Sequence, residues 1–141
     1  MLNENEKNAA DVLALVDDLF FQAKLAETAR KVGVKLKTVS TGAALMDALG
    51  GALNHTSGGA SGGAASGDLP RLIVVDLNAR QGPLEAIEKL QAGGNPVPVI
   101  GFLSHVQRDL AERAREAGCK QVLPRSSFTQ NLSEILLQAK S

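Results

Sequence analysis

Residues 72–78 read Leu-Ile-Val-Val-Asp-Leu-Asn, the most apolar and β-branched run of the chain, and a carboxylate follows its last valine. A continuous apolar run without a polar face is typical of a strand that is covered on both sides. Such strands belong to parallel sheets between layers of helices. We therefore expect Leu72 to Val75 to form the central strand of such a sheet, with Asp76 directly after its carboxyl end.

Four other short runs have strand character and lie on both sides of this one in the chain. The run at 34–39 alternates apolar residues with lysine at its start, which is typical of an edge strand because charge discourages edge-to-edge association. In chain order the four runs are 12–16 (VLALV), 34–39 (VKLKTV), 97–103 (VPVIGFL) and 120–123 (KQVL).

Helix-like segments separate the strand-like runs. Leu19 to Val32 carries apolar side chains at helical spacing and precedes Gly33, a residue type that often ends helices. The other helical segments also have boundary signals. In chain order these are a cap at Thr41, a proline in the first turn at Pro83, a glycine end at Gly118, and a capping-box pattern over 127–130 for the final helix.

Five strand-like runs that alternate with five helical segments predict right-handed crossovers and a parallel sheet. At 141 residues we expect one domain over 1–141, a three-layer α/β fold of the (βα)5 flavodoxin-like type with strand order 2-1-3-4-5. The low-complexity stretch at 56–67 (TSGGASGGAASG) predicts a flexible surface insertion within that domain.

The composition excludes several classes of protein. Lys plus Arg and Asp plus Glu both total 15, and Trp and Tyr are absent, so neither a nucleic acid nor a membrane surface is expected as a direct partner. The single Cys119 cannot form an internal disulfide, which fits a reducing compartment. The polar N-terminal segment and the lack of a run of roughly 18 apolar residues lead us to expect a cytoplasmic protein.

Polar residues follow four of the predicted strands. In an open parallel sheet, ligands bind beyond the carboxyl ends of the strands, where the strand order reverses. The side chains predicted to meet there are Asp17 and Asp18 after the first strand, Asp76 after the third, Ser104 after the fourth and Arg125 after the fifth.

Three carboxylates, a hydroxyl and a cation on one edge point to a definite chemistry. Carboxylates that lie close together repel and are expected to raise one another's pKa. Mg²⁺ relieves this repulsion, because it prefers oxygen ligands. One carboxylate, Asp76, can then attack a phosphoryl group, while the metal and the fixed cation neutralise charge on the transferred oxygens.

These residues lie in pieces that resemble the CheY-like receiver domains of bacterial response regulators, over essentially the whole chain. The resemblance implies that Asp76 is the phosphoacceptor, that Asp17 and Asp18 hold Mg²⁺ together with Asp76 and the backbone carbonyl of Asn78, and that Ser104 binds a phosphoryl oxygen. The matching pieces are VLALVDD at 12–18, LIVVDLN at 72–78, PVIGFLS at 98–104 and GCKQVLPRSSF at 118–128.

The resemblance also implies a part in a two-component phosphorelay. The chain would not be an enzyme in the usual sense, beyond taking a phosphoryl group from a donor and losing it slowly. Its partners would be a histidine kinase or a phosphotransfer protein and an output protein that the sequence does not name. No output domain follows in this sequence, so we expect output through protein contacts, on the face formed by about 106–139.

Four positions depart from the family pattern. Arg125 and Ser126 stand where the family has Lys and Pro, His105 stands where a small residue is usual, and Val122 replaces an aromatic residue. Arg is a planar fork and not a compact point charge. These departures motivate an alternative, a pseudo-receiver that acts as a phosphorylation-independent protein-binding module.

Two further alternatives have less support. A flavin or nucleotide binder on this fold would cradle phosphate after the first strand, where the residues 17–21 (DDLFF) would repel it without a metal, and no P-loop or GxGxxG pattern follows any strand. A hydrolase with Asp76 as nucleophile lacks an identifiable separate general acid.

Overall fold

The structure is a computed structural model that describes residues 10–53, 69–104 and 107–140, with the backbone alone for 50–53. The predictions made for the insertion at 56–67 and for His105 lie outside these residues. No helix in the described ranges is both long enough and apolar enough to cross a bilayer. Strands and helices alternate in the order β1 Val12–Leu15, α1 Leu19–Val32, β2 Leu36–Val39, α2 Gly42–Leu53, β3 Leu72–Asp76, α3 Pro83–Ala92, β4 Val99–Leu103, α4 Arg108–Ala117, β5 Gln121–Pro124, α5 Arg125–Gln130 and α6 Leu132–Leu137.

The five strands form one parallel sheet in the order β2-β1-β3-β4-β5. This confirms the predicted flavodoxin-like order 2-1-3-4-5 with β2 and β5 at the edges. In the register of β1 and β3, Leu15 is the partner of Val75. The segment after β1 and the last residue of β3 therefore lie side by side at the carboxyl edge, by which we mean the edge formed by the carboxyl ends of the strands.

The sheet divides the interior into two cores. Side chains of β1 alternate between them, because successive residues of a strand point to opposite faces. The aromatic core, which includes Phe21, Phe102 and Phe128, lies between the sheet and α1, α5 and α6. The aliphatic core, which includes Leu15, Leu49 and Ile87, lies between the sheet and α2, α3 and α4. The three layers match the predicted architecture.

Local signals account for the ends of the first two helices. Asp18 is the N-cap of α1, and Gly33 ends that helix with a φ of 80°, a left-handed conformation in which glycine has no side chain to clash. At the start of α2, the Thr41 hydroxyl accepts a hydrogen bond of 3.0 Å from the amide of Ala44. The sequence predicted the end at Gly33 and the cap at Thr41 correctly, whereas the cap at Asp18 was not among its predictions.

The predicted capping box at 127–130 is wrong. The helix begins at Arg125, three residues before the start that a cap at Ser127 implies, and the extended Pro124 takes the cap position without a side-chain hydrogen bond. Ser127 instead lies within the helix, where its carbonyl accepts hydrogen bonds from the amide and the side chain of Asn131. These bonds fall at an interruption, where Asn131 leaves helical geometry and separates α5 from α6.

Candidate functional site

Asp76 is the last residue of β3, and its side chain is only 5% exposed. By alternation it points to the same side as Leu72 and Val74, which belong to the aromatic core. Its Oδ1 accepts a hydrogen bond of 2.9 Å from the amide of Asn78. Burial raises the pKa of Asp76, and this effect outweighs the lowering by the Asn78 amide and by the charge of Arg125.

Asp18 follows β1 and has both oxygens engaged. Its Oδ1 accepts hydrogen bonds from the amides of Phe20 at 2.9 Å and Phe21 at 3.3 Å, which caps α1. Its Oδ2 accepts a hydrogen bond of 3.1 Å from Nη2 of Arg125. The hydrogen bond from Arg125, followed by that from the Phe21 amide, holds the pKa of Asp18 below its usual value. The expected mutual rise in pKa therefore fails at Asp18, because a cation lies beside it.

Arg125 reaches the site from the first position of α5. Besides its ion pair with Asp18, its guanidinium carbon lies 4.3 Å from the centre of the Phe21 ring. A guanidinium over an aromatic face is attracted by the negative charge of the ring's π system. Arg125 is thus held by a carboxylate and by an aromatic ring at the same time.

Asp17, the other acidic residue after β1, faces a different loop. Its Oδ2 accepts a hydrogen bond of 2.9 Å from the amide of Arg80, in the segment between β3 and α3. Asp17, Asp18 and Asp76 therefore share the carboxyl edge but have separate partners. In the described part of the chain, no three histidine, cysteine or acidic side chains are gathered as a set of metal ligands.

The donors at this edge nevertheless have the chemistry that Mg²⁺ requires. The charges of Asp17 and Asp18 each contribute to raising the pKa of Asp76, after its burial. A divalent cation would relieve the repulsion of these charges with carboxylate and carbonyl oxygens. The oxygen donors therefore suit the ion by type, although the side chains are not gathered around one point, and Asp18 is engaged by Arg125.

Asn78 joins two loops through its side chain. Its Oδ1 accepts hydrogen bonds from the amide of Ser104 at 2.7 Å and from the Ser104 hydroxyl at 3.1 Å, and its Nδ2 donates to Oε1 of Gln107 at 2.9 Å. The sequence reasoning gave Asn78 only a backbone role and did not identify Gln107. No pattern in the sequence relates two residues that are 29 positions apart.

Three of the four phenylalanines pack together in the aromatic core. The centre of the Phe102 ring lies 5.1 Å from that of Phe21 and 4.6 Å from that of Phe128, and the second pair is stacked. Phe21 is buried in this core, whereas the neighbouring Phe20 is 90% exposed. Val122, at the position where an aromatic residue is usual, packs on the opposite side, against the aliphatic core.

A groove with a volume of about 400 Å³ lies between α4 and β5. It falls within the face at 106–139 that was predicted to carry the output. Its lining combines apolar and charged side chains and includes Leu103, Gln107, Ala111, Glu112, Arg115 and Val122.

Comparisons with known proteins find similarity at the level of the fold. No family model matches the sequence, and no curated protein matches it. Among solved structures, the signal receiver domain of NarL from Mycobacterium tuberculosis is 15% identical with a TM-score of 0.63, and the match covers 93% of this chain and 95% of that one. The phosphorylated cyanobacterial phytochrome response regulator RcpA is 18% identical with a TM-score of 0.67, over 94% of this chain and 97% of that one.

The Mn²⁺-bound form of the response regulator Rcp1 is similar to the same extent. It is 18% identical with a TM-score of 0.66, and the match covers 89% of this chain and 91% of that one. The chain therefore has the fold of response-regulator receiver domains, which confirms at the level of the fold the resemblance carried by its sequence pieces.

Proposed function

We propose that this chain, which has the receiver fold, is a signalling receiver that accepts a phosphoryl group on Asp76 with the help of Mg²⁺. The observation that carries the proposal is the position of three acids at one point of the sheet. Asp76 ends β3, and Asp17 and Asp18 follow the neighbouring β1 at the same edge. This is where the strand order reverses and where open parallel sheets bind their ligands.

The chemistry assigned to Asp76 is nucleophilic attack on phosphorus. The amide of Asn78 holds Oδ1, and the other oxygen, Oδ2, forms the new bond while the bond from phosphorus to the donor breaks. Mg²⁺, held by Asp17, Asp18, Asp76 and the Asn78 carbonyl, would neutralise charge on the phosphoryl oxygens. The phosphodonor would be a histidine kinase or a phosphotransfer protein. Apart from this transfer and slow loss of the group, we assign the chain no enzymatic activity.

Two solved structures with this fold support the ion and the modification. Rcp1 is seen with Mn²⁺ bound, and RcpA is seen phosphorylated. Mn²⁺ and Mg²⁺ share a preference for oxygen ligands, and the candidate ligands in this chain are carboxylate and carbonyl oxygens.

Ser104 would register the phosphoryl group and pass the change to α4. Its hydroxyl and amide both donate to Oδ1 of Asn78, and Nδ2 of the same Asn78 side chain donates to Oε1 of Gln107. Gln107 immediately precedes α4 and lines the groove between α4 and β5. A hydroxyl that turns to a phosphoryl oxygen gives up its bond to Asn78. The output protein would then distinguish the two states by contacts on this face.

The direct test is phosphorylation by acetyl phosphate with Mg²⁺, followed on a phosphate-affinity gel. The wild type is expected to give one retarded band, which Asp76→Asn and removal of Mg²⁺ with EDTA should abolish. Asp47→Asn is the matched control, because Asp47 is an exposed aspartate of α2. A wild type that never shifts, or a shift that persists in Asp76→Asn, would contradict the proposal.

The second candidate, a pseudo-receiver that binds a protein without phosphorylation, is favoured by one observation. The ion pair between Arg125 and Asp18 already places a cation at the acidic pair, by which we mean Asp17 and Asp18. Beryllofluoride with Mg²⁺ separates the two candidates, because it mimics a phosphoryl group on aspartate. Amide NMR shifts at Asp76 and Ser104 would support the receiver, and an unchanged spectrum at millimolar concentrations would support the binding module.

A further inference from the structure

We propose that Arg125 is a resident counter-ion of the acidic pair, which competes with a divalent cation for Asp18 and so sets the affinity of the metal site. The inference rests on the proposed function, because it concerns the same metal site. It makes Arg125 a determinant of metal affinity, separate from any contact between this residue and a phosphoryl group.

The hydrogen bonds of Asp18 leave a metal one point of entry. Oδ1 caps α1 through the amides of Phe20 and Phe21, so a metal at this oxygen would compete with two backbone donors at the helix start. Among the described residues, Oδ2 has one partner, the guanidinium of Arg125 at 3.1 Å. A cation can therefore take Oδ2 and leave the cap intact, in competition with the positive charge of Arg125.

The guanidinium of Arg125 is also held by an aromatic ring. It lies over the ring of Phe21, whose side chain is buried and packs against Phe102 and Phe128. The backbone of Arg125 is fixed as well, because its carbonyl accepts a hydrogen bond of 2.8 Å from the Thr129 hydroxyl. A side chain held on two sides loses little further freedom in its ion pair, which makes it a stronger competitor than a mobile surface charge.

The geometry of the guanidinium explains why lysine would behave differently. The planar face of Arg stacks on an aromatic ring while its edge donates to a carboxylate, whereas the ammonium of Lys is a compact and strongly hydrated point charge. Lys at position 125 would keep the charge and lose the combined stacking and edge contact with Phe21 and Asp18. We therefore expect Arg125→Lys to compete less well with the metal.

Arg80 provides a matched control for charge alone. It lies at the same edge with an exposed side chain, and its bond to Asp17 is made by the backbone amide. Arg80→Ala removes one positive charge from a residue of this edge and leaves both the amide and the ion pair of Asp18 in place. A purely long-range effect of charge would tighten metal binding in Arg80→Ala as well as in Arg125→Ala.

The test is a Mn²⁺ titration of the whole chain, in which free Mn²⁺ is followed by electron paramagnetic resonance at constant ionic strength. Removing a fixed unit charge in direct contact with a ligand oxygen is expected to tighten Mn²⁺ binding by about tenfold in Arg125→Ala. Arg125→Lys should fall between this variant and the wild type, and Arg80→Ala should stay within about twofold of the wild type.

Phe21→Leu gives a second route should Arg125→Ala fail to fold. It keeps Arg125 and an apolar side chain in the core but removes the aromatic face, so Mn²⁺ should again bind several times more tightly than in the wild type. Equal affinities in the wild type, Arg125→Ala and Phe21→Leu would overturn the inference and leave the metal site of the proposed function standing. No Mn²⁺ binding by any variant at millimolar concentrations would overturn both.

Discussion

Asp76 and Phe102 are partners in the register of β3 and β4, so a buried carboxylate and a buried aromatic ring lie next to each other at the carboxyl edge. The amide of Leu77 donates a hydrogen bond of 2.8 Å to the carbonyl of Phe102 and ties the segment after Asp76 to β4. Phe102 also contacts Phe21, the ring that supports Arg125. The packing of the aromatic core and the positions of the charged groups are therefore linked.

Phe128→Ala is expected to cost about 3–5 kcal/mol in the free energy of unfolding, because the side chain is fully buried and its loss leaves a cavity. Urea denaturation followed by circular dichroism measures this change. Phe20→Ala is the matched control, since Phe20 is exposed, and its effect should stay within about 0.5 kcal/mol. Similar losses in the two variants would contradict the described packing.

Asp76→Asn should make the chain more stable at pH 7. Burial raises the pKa of Asp76 above the ordinary value of 3.8, so just above that pH the folded chain keeps a proton that the unfolded chain has lost. The free energy of unfolding therefore falls as the pH rises through this window. Asn is neutral and keeps an oxygen that can accept the bond from Asn78.

Urea denaturation of the wild type and of Asp76→Asn between about pH 3 and pH 8 checks this prediction. The advantage of Asp76→Asn should shrink at the acidic end, where the wild-type carboxyl group is protonated in both states. An advantage that does not change with pH, or a less stable variant at pH 7, would show that desolvation of the charge is not the cause.

Asn78→Ala should release the loop at Ser104. The variant loses the acceptor of the Ser104 amide, so hydrogen exchange at this amide should speed up by roughly fivefold or more, the equivalent of one net hydrogen bond. Asn78→Asp keeps an acceptor oxygen but loses the donor to Gln107, and should retain most of the protection. Equal exchange in all three proteins would refute this role of the Asn78 side chain.

Cys119 should be a poor nucleophile in the folded chain. Burial raises the pKa of its thiol to about 11 from the ordinary value of 9.0, which reduces the thiolate fraction at pH 8 by about a hundredfold. Iodoacetamide should therefore modify the native chain far more slowly than the chain in urea. A native rate within about threefold of the unfolded rate would contradict the buried placement.

The sequence predicted every strand of the described residues, but it placed the starts of β2 and β4 two residues too early and that of β5 one residue too early. Val34 follows Gly33, and its amide still belongs to the end of α1, where it donates to the carbonyl of Ala29. Val97 precedes a proline, which has no amide for a strand ladder, and the amide of Val97 donates to the Asn95 side chain. Apolar character alone does not distinguish a residue that pairs in the sheet from one that packs just before it.

The location of the candidate site could be predicted from the sequence, but the contacts within it could not. Strand order and the rule for parallel sheets put Asp17, Asp18 and Asp76 at one edge, and the structure has them there. The partner of Asp18 is 107 positions away, at Arg125. Which oxygen faces which donor depends on how α1 and α5 pack against the sheet, and this packing leaves no periodic signal in the sequence.

The division of the interior into two cores suits the chain to fluorine spectroscopy. It has four phenylalanines, so the chain labelled with fluorinated phenylalanine would give four resonances without any substitution. Three would come from the aromatic core and one from Phe20 in solvent. A structural change around α1 and α5 would shift the three core resonances, with the Phe20 resonance as an internal reference. A change confined to the layer of α2 to α4 would leave the three core resonances unshifted.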